Sequence, residues 1–241
     1  MTLLDIVAEF VANPPGLIRV VMIHLYRATE REPLIQALAA ALQTPFEIQE
    51  AVDGGKLVAE GHPTVCGIHP GIHRTAGEIG CAASHLAAYR AALDADLSHL
   101  VVFEDDCTAA PGFSLTALRT YLAGAGAFAE EFSMKGMTDL TLLSTCGCYE
   151  WRQLTRGVKV TNHFNGSHAY IIGRAMMQKV VDFYDALAVK GQTAPIDGVL
   201  PILLREGQRW AFCPENDTAF FKQNREIPSY VVASTPVIRK D

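Results

Sequence analysis

The stretch "HLVVFEDD", residues 99–106, decides how the chain is read. Leu100, Val101, Val102 and Phe103 run without a break into Glu104, Asp105 and Asp106. An unbroken apolar, β-branched run of this length is the pattern of a strand covered on both faces. The acids at its end are the puzzle. Two carboxylates about 5 Å apart repel by about 3 kcal/mol at an effective dielectric of about 20. Side chains alternate along a strand, so Glu104 and Asp106 point one way and Asp105 the other. A divalent cation between the acids, or a proton kept on one of them, relieves the repulsion. Hard oxygen ligands suit magnesium or manganese. The alternative at this point is that Asp105 and Asp106 form a turn or cap a helix after Pro111.

Working outward, "GEIGCAASHLAAYRAALDAD" (77–96) predicts a helix with Ile79, Ala83, Leu86 and Leu93 on its apolar side. "LIRVVMIHL" (17–25) predicts a buried strand, and "ATEREPLIQALAAAL" (28–42) a helix with Pro33 near its start. "PFEIQEAV" (45–52) reads as a second strand ended by Asp53-Gly54-Gly55, followed by a long Gly-, Pro- and His-rich loop to Ala76. Later come a helix near 114–132, a strand "DLTLLST", a looser region to Thr161, a strand "SHAYII" and a helix "RAMMQKVVDFYDAL". Strands alternating with helices imply an α/β sheet with parallel connections, and ligands collect beyond the carboxyl ends of such strands. No repeat or linker divides the chain, so 1–241 is expected to be a single domain.

Composition narrows the class. With 20 basic against 26 acidic residues among 241, the net charge of -6 gives no electrostatic reason to bind nucleic acid. No apolar run approaches the roughly 20 residues of a membrane helix, which leaves at most peripheral membrane contact. The N-terminal segment 1–16 lacks a basic leader and carries Asp5 and Glu9, so it reads as a short packing or dimer-forming helix stopped at Asn13-Pro14-Pro15-Gly16. Six cysteines without paired zinc spacing suit reduced thiols in a cytoplasmic protein.

"GEIGCAASHLAAYRAAL" followed by "LVVFEDD" resembles the family 25 glycosyltransferases, which include bacterial lipooligosaccharide galactosyltransferases and, more distantly, collagen galactosyltransferases. "VVMIHLYRATERE" (20–32), "EAVDGGKL" (50–57), "GSHAYIIGRAMMQKVV" (166–181) and "PIDGVL" (195–200) are similar to further elements of that family, in its order. The resemblance implies a GT-A fold, an α/β architecture whose mostly parallel central sheet is flanked by helices and has a Rossmann-like nucleotide-binding half. It also implies a UDP-galactose or UDP-glucose donor, Mn2+ or Mg2+, and inversion at the anomeric carbon.

Carried over by position, Asp106 is the first metal ligand, Glu104 assists it or holds the donor ribose, and Asp105 faces the donor sugar. Ala51 and Asp53 match the strand end that cradles uridine. Leu25, Arg27 and Arg31 lie at the first strand end, where a guanidinium meets diphosphate or uracil; the other reading of both arginines is an exposed salt bridge at a helix start. Ser84 and His85 match the Ser-His part of the helix motif and are assigned to donor binding. Asp197 is the candidate base, with Asp105 the other candidate and a helix N-cap the structural alternative for Asp197. His163 or His168 would complete the metal shell. His62, Cys66, His69 and His73 are either a transition-metal set or part of a mobile substrate loop. The basic tail is reduced to Arg239-Lys240, so a glycan, peptide or small-molecule acceptor stays open. Rival readings are a non-catalytic nucleotide-sugar-binding protein and a sugar nucleotidyltransferase. The latter needs a Gly-rich basic loop after its first strand, and none is present.

Overall fold

A computed structural model describes residues 1–131, 139–144, 146–155, 157–166, 168–207, 209–214 and 220–223. The chain opens with helix α1 (Leu3–Val11), strand β1 (Ile18–His24), helix α2 (Glu32–Leu42) and strand β2 (Glu47–Glu50). Helices α3 (Gly54–Ala59) and α4 (Ala76–Asp94) follow, then β3 (His99–Glu104), β4 (Cys107–Ala109) and α5 (Leu115–Glu131). The second half holds β5 (Leu140–Ser144), β6 (Gly147–Thr155), β7 (Val158–Asn165) and β8 (Ala169–Gly173). It ends with α6 (Arg174–Val189), α7 (Ile196–Glu206), β9 (Ala211–Pro214) and β10 (Phe221–Gln223).

Eight strands form the main sheet in the order β2-β1-β3-β8-β5-β9-β7-β6, and β10 pairs with β4 in a small second sheet. Pairing is parallel within β2-β1-β3 and between β5 and β9. It is antiparallel where β8 joins β3 to β5, and where β7 joins β9 to β6. The α/β architecture with a flanked central sheet is as the sequence indicated.

The apolar runs explain the layering. On β1, Val21 and Ile23 enter a core formed with α4, α6 and α7, whereas Val20 and Met22 enter a second core with α1, α2 and α5. β3 splits the same way, Leu100 and Val102 against Val101 and Phe103. A strand buried on both faces has no polar face to show, which is why it reads as a continuous apolar run. Leu3, Ile6 and Val7 of α1 are consumed in the second core, so this helix packs on its own chain.

Three local readings are corrected. The segment after Asp53 is not loop throughout: Asp53 caps α3 by accepting from the Gly55 N–H at 2.9 Å. The looser region is a long hairpin of β6 and β7, turned at Gly157 with φ +89°. The helix after Pro111 is capped by Ser114, whose Oγ accepts from the Ala117 N–H at 3.1 Å, so neither Asp105 nor Asp106 serves as its cap, whereas the turn reading holds, both lying in the turn between β3 and β4. Of the C-terminal aromatics, Phe220 and Phe221 pack beside Tyr121, Phe103 and Phe113. Tyr230 and the pair Arg239-Lys240 lie outside the described residues.

Candidate active site

A cleft of about 730 Å³ opens beyond the ends of β1, β2 and β3, within the size range of small-ligand pockets. Leu25, Arg27 and Arg31 line it from the β1 end, and Ala51 and Asp53 from the β2 end. Ser84 and His85 line it from α4, Glu104, Asp105 and Asp106 from β3, and Asp197 from α7. Residues up to 200 positions apart in sequence thus share one concavity, Ile23 to Gln223.

The three acids after Phe103 are treated differently. Asp105 points to the α2 side. Its Oδ2 meets His24 Nδ1 at 2.9 Å and the Leu25 N–H at 3.4 Å, and Arg31 donates to Oδ1. Glu104 points to the α4 side, where Oε1 takes His85 Nε2 at 3.1 Å and the Cys81 thiol at 3.6 Å. Burial works to raise the Glu104 carboxyl, but the His85 hydrogen bond and charge outweigh it and hold the group below the ordinary carboxylate range. Asp106 accepts from Gln223 Nε2 at 2.9 Å through Oδ2, while Oδ1 is buried with no hydrogen-bond partner among the described residues. Burial, reinforced by the Glu104 charge, pushes Asp106 up to about 6.

The cleft's back wall depends on close helix contact. A Cβ on Gly54 would stand 1.7 Å from the Ala76 carbonyl oxygen, and one on Gly80 would stand 2.7 Å from the Gly54 nitrogen and the Val52 oxygen. Only glycines let the start of α3 sit against α4. Ser84 locks the same contact: its hydroxyl donates to the Gly80 carbonyl at 2.6 Å and accepts from the Val52 N–H at 2.8 Å. Ser84 therefore fixes the β2 end that carries Asp53. Arg27 donates to Asp53 and holds that carboxyl below its usual range.

Asp197 sits in the first turn of α7, where Pro195 occupies the cap position, so the N-cap alternative fails. Its Oδ2 accepts from the Gly166 N–H at 3.3 Å. Of the two late histidines, His168 lines the cleft with Nε2 2.8 Å from Ser144 Oγ, whereas His163 pairs with the Tyr149 ring at 5.3 Å. The histidine-rich loop does not converge: His69 faces the main cleft, His62 a second cavity, and His73 Nδ1 bonds Thr64 Oγ1 at 2.8 Å. Among the described residues, Cys66 and those histidines form no metal-ligating group.

The model of glycosyltransferase family 25, described as an LPS biosynthesis protein, matches residues 18–199, three quarters of the chain. The chain belongs to glycosyltransferase family 25. As a family-25 glycosyltransferase it is an enzyme, which sets aside the non-catalytic and nucleotidyltransferase readings. No curated protein matches it. A solved structure, the crystal structure of apo UDP-glucose pyrophosphorylase, aligns over 87% of this chain and 77% of its own at 7% identity and a TM-score of 0.37. That likeness is too slight to say what this glycosyltransferase binds.

Asp106 keeps a buried carboxylate oxygen without a hydrogen-bond partner among the described residues, and burial first and the Glu104 charge second raise its pKa, so a hard divalent ion would be compatible with the negative charge there. Two contributors escaped the sequence reading. Gln223 reaches Asp106 from 117 positions away with no local signal. Cys81 stands four residues before His85, a helical spacing that marks a shared face. Among the described residues no helix is long and apolar enough to cross a membrane.

Proposed function

We propose that this chain has a GT-A-type fold and transfers a hexose, galactose or glucose, from a UDP-sugar to an acceptor hydroxyl with inversion, using Mn2+ or Mg2+. The observation that carries the reading is the unequal treatment of the acids. Asp105 is paired with Arg31 and His24, while Asp106 keeps a buried oxygen with no hydrogen-bond partner among the described residues, in the same cleft as Asp53, Arg27 and Asp197.

Asp106, with Glu104 beside it, would hold the ion, and His168, which lines the same cleft, would join them. A bound cation supplies neutralisation of the charge that builds on the diphosphate leaving group. Asp53 and Ala51 receive the uridine, and Arg27, oriented by Asp53, reaches the donor with a bidentate guanidinium. Asp197 takes the proton of the acceptor hydroxyl as its oxygen bonds to the anomeric carbon and the bond to UDP breaks on the opposite face. Both oxygens of Asp105 are already acceptors, so its part is to position Arg31 and the β1 end rather than to take a proton. Ser84 and His85 act from behind, fixing the Val52 backbone and Glu104. The acceptor is a glycan hydroxyl, in keeping with the family's description, and the compartment is the cytoplasm.

A panel of UDP-hexoses assayed for hydrolysis with Mn2+, with Mg2+ and with chelator tests this. Turnover of UDP-galactose or UDP-glucose that stops on chelation is expected. Chelator-insensitive turnover would contradict the metal role, and no turnover of any UDP-hexose would contradict the donor class.

A further inference from the structure

Behind the Asp106 position lies a second cluster with different chemistry. Cys81 Sγ, His85 Nε2 and a Glu104 carboxylate oxygen all fall within 4.8 Å of one another. Their placement follows from the elements: Cys81 and His85 are four apart on α4, so both side chains leave one face, and the end of β3 aims Glu104 at that face. All three line the main cleft, which leaves one side of the cluster open.

From this geometry we infer that Cys81, His85 and Glu104 form a site for a borderline-soft divalent ion, zinc foremost, that adjoins the hard-cation position at Asp106 and shares Glu104 with it. The distances match a tetrahedral ion. Bonds of about 2.3 Å to sulfur and about 2.0 Å to nitrogen and oxygen put sulfur about 3.5 Å, and nitrogen about 3.3 Å, from the oxygen. The structure holds Cys81 Sγ at 3.6 Å and His85 Nε2 at 3.1 Å from Glu104 Oε1. Three protein ligands with a fourth position facing solvent is the arrangement of exchangeable zinc sites. A thiolate and an imidazole also select against magnesium, which keeps to oxygen.

An outer partner completes the pattern. His85 Nδ1 lies 2.5 Å from the Tyr170 hydroxyl, which lies 2.5 Å from that of Tyr89. Metal-bound histidines are commonly oriented through their second nitrogen in this way. In the ion-free network, Cys81 S–H and His85 Nε2–H both donate to Glu104 Oε1. On binding, the Cys81 proton leaves to solvent and the imidazole proton passes to Nδ1, where the Tyr170 oxygen accepts it. The Tyr170 proton then turns to Tyr89. With His85 neutral the balance is one ion taken up and one proton released; an imidazolium His85 gives up a second proton to solvent, and neither case changes oxidation state.

The test uses the full chain, stripped by chelator and titrated with Co2+. A thiolate-to-cobalt charge-transfer absorption develops in the wild type and in Cys146→Ser, and is lost in Cys81→Ser. Zinc affinity falls at least about tenfold in Cys81→Ser, with an unchanged thermal transition. X-ray absorption on the zinc-loaded wild type checks the site without any variant, the expectation being one sulfur at about 2.3 Å. A wild type with no charge-transfer band, a band that survives Cys81→Ser, or a zinc shell without sulfur overturns the site. None of these readouts depends on sugar transfer.

Discussion

The two flanks of the β3 end carry like charges and have opposite electrostatic outcomes. On the flank facing α2, Asp105 meets a guanidinium, an imidazole and a backbone N–H and is nine-tenths buried. On the flank facing α4 and β10, Glu104 and Asp106 share one histidine, one thiol and one amide between them. The first flank is complete within the chain and holds β1 to the start of α2. The second retains excess negative charge at a place that opens to a cleft. One acid is fully satisfied while the next keeps a buried oxygen without a hydrogen-bond partner among the described residues, and under the proposed function the first serves stability and the second a ligand.

The largest expected effect comes from the open flank. Asp106→Asn removes the charge but keeps the shape and the bond from Gln223, so transfer falls below detection while the melting temperature holds or rises. A variant that still transfers with Mn2+ breaks the contrast. Asp105→Ala should do the reverse. It removes the carboxylate held by a buried guanidinium and imidazole, costing about 3–5 kcal/mol in denaturant titration. A loss under about 1 kcal/mol would show that this flank is not the clamp.

A pH series sharpens the same point. Asp106 has an ordinary value of 3.8 and stands at about 6 in the fold. Between those values the native state binds more protons than the unfolded one, so this group makes stability fall as pH rises through the window, then level off. The slope amounts to about 1–3 kcal/mol and should vanish in Asp106→Asn. The smallest effect belongs to Arg27, half exposed in its pair with Asp53. Arg27→Ala should change stability by under about 1 kcal/mol yet raise the donor KM about tenfold, because an exposed ion pair holds little while a bond to a charged ligand holds more.

How far the sequence could be read follows from the range of the interactions. The alternation of Val20 and Val21, and of Phe103 and Leu100, is a period-two property of the chain itself, so the buried sheet and the opposed directions of Glu104 and Asp105 were legible. A salt bridge at Arg31 was legible, but it is largely buried rather than exposed, and its partner lies across 74 positions. Helix α3 was hidden because its first two residues are glycines, poor helix formers, of which Gly54 is required by its contact with α4. The β6–β7 hairpin was hidden because Thr161, Asn162 and His163 interrupt its apolar alternation. Gln223 and the free oxygen of Asp106 depend on tertiary placement alone.

The most direct measurement is calorimetric titration of UDP into the wild type and Asp106→Asn, each with and without Mn2+. The account predicts that Mn2+ strengthens UDP binding at least about tenfold in the wild type and has no effect in the variant. Equal enhancement in both proteins, or none in the wild type, would contradict it.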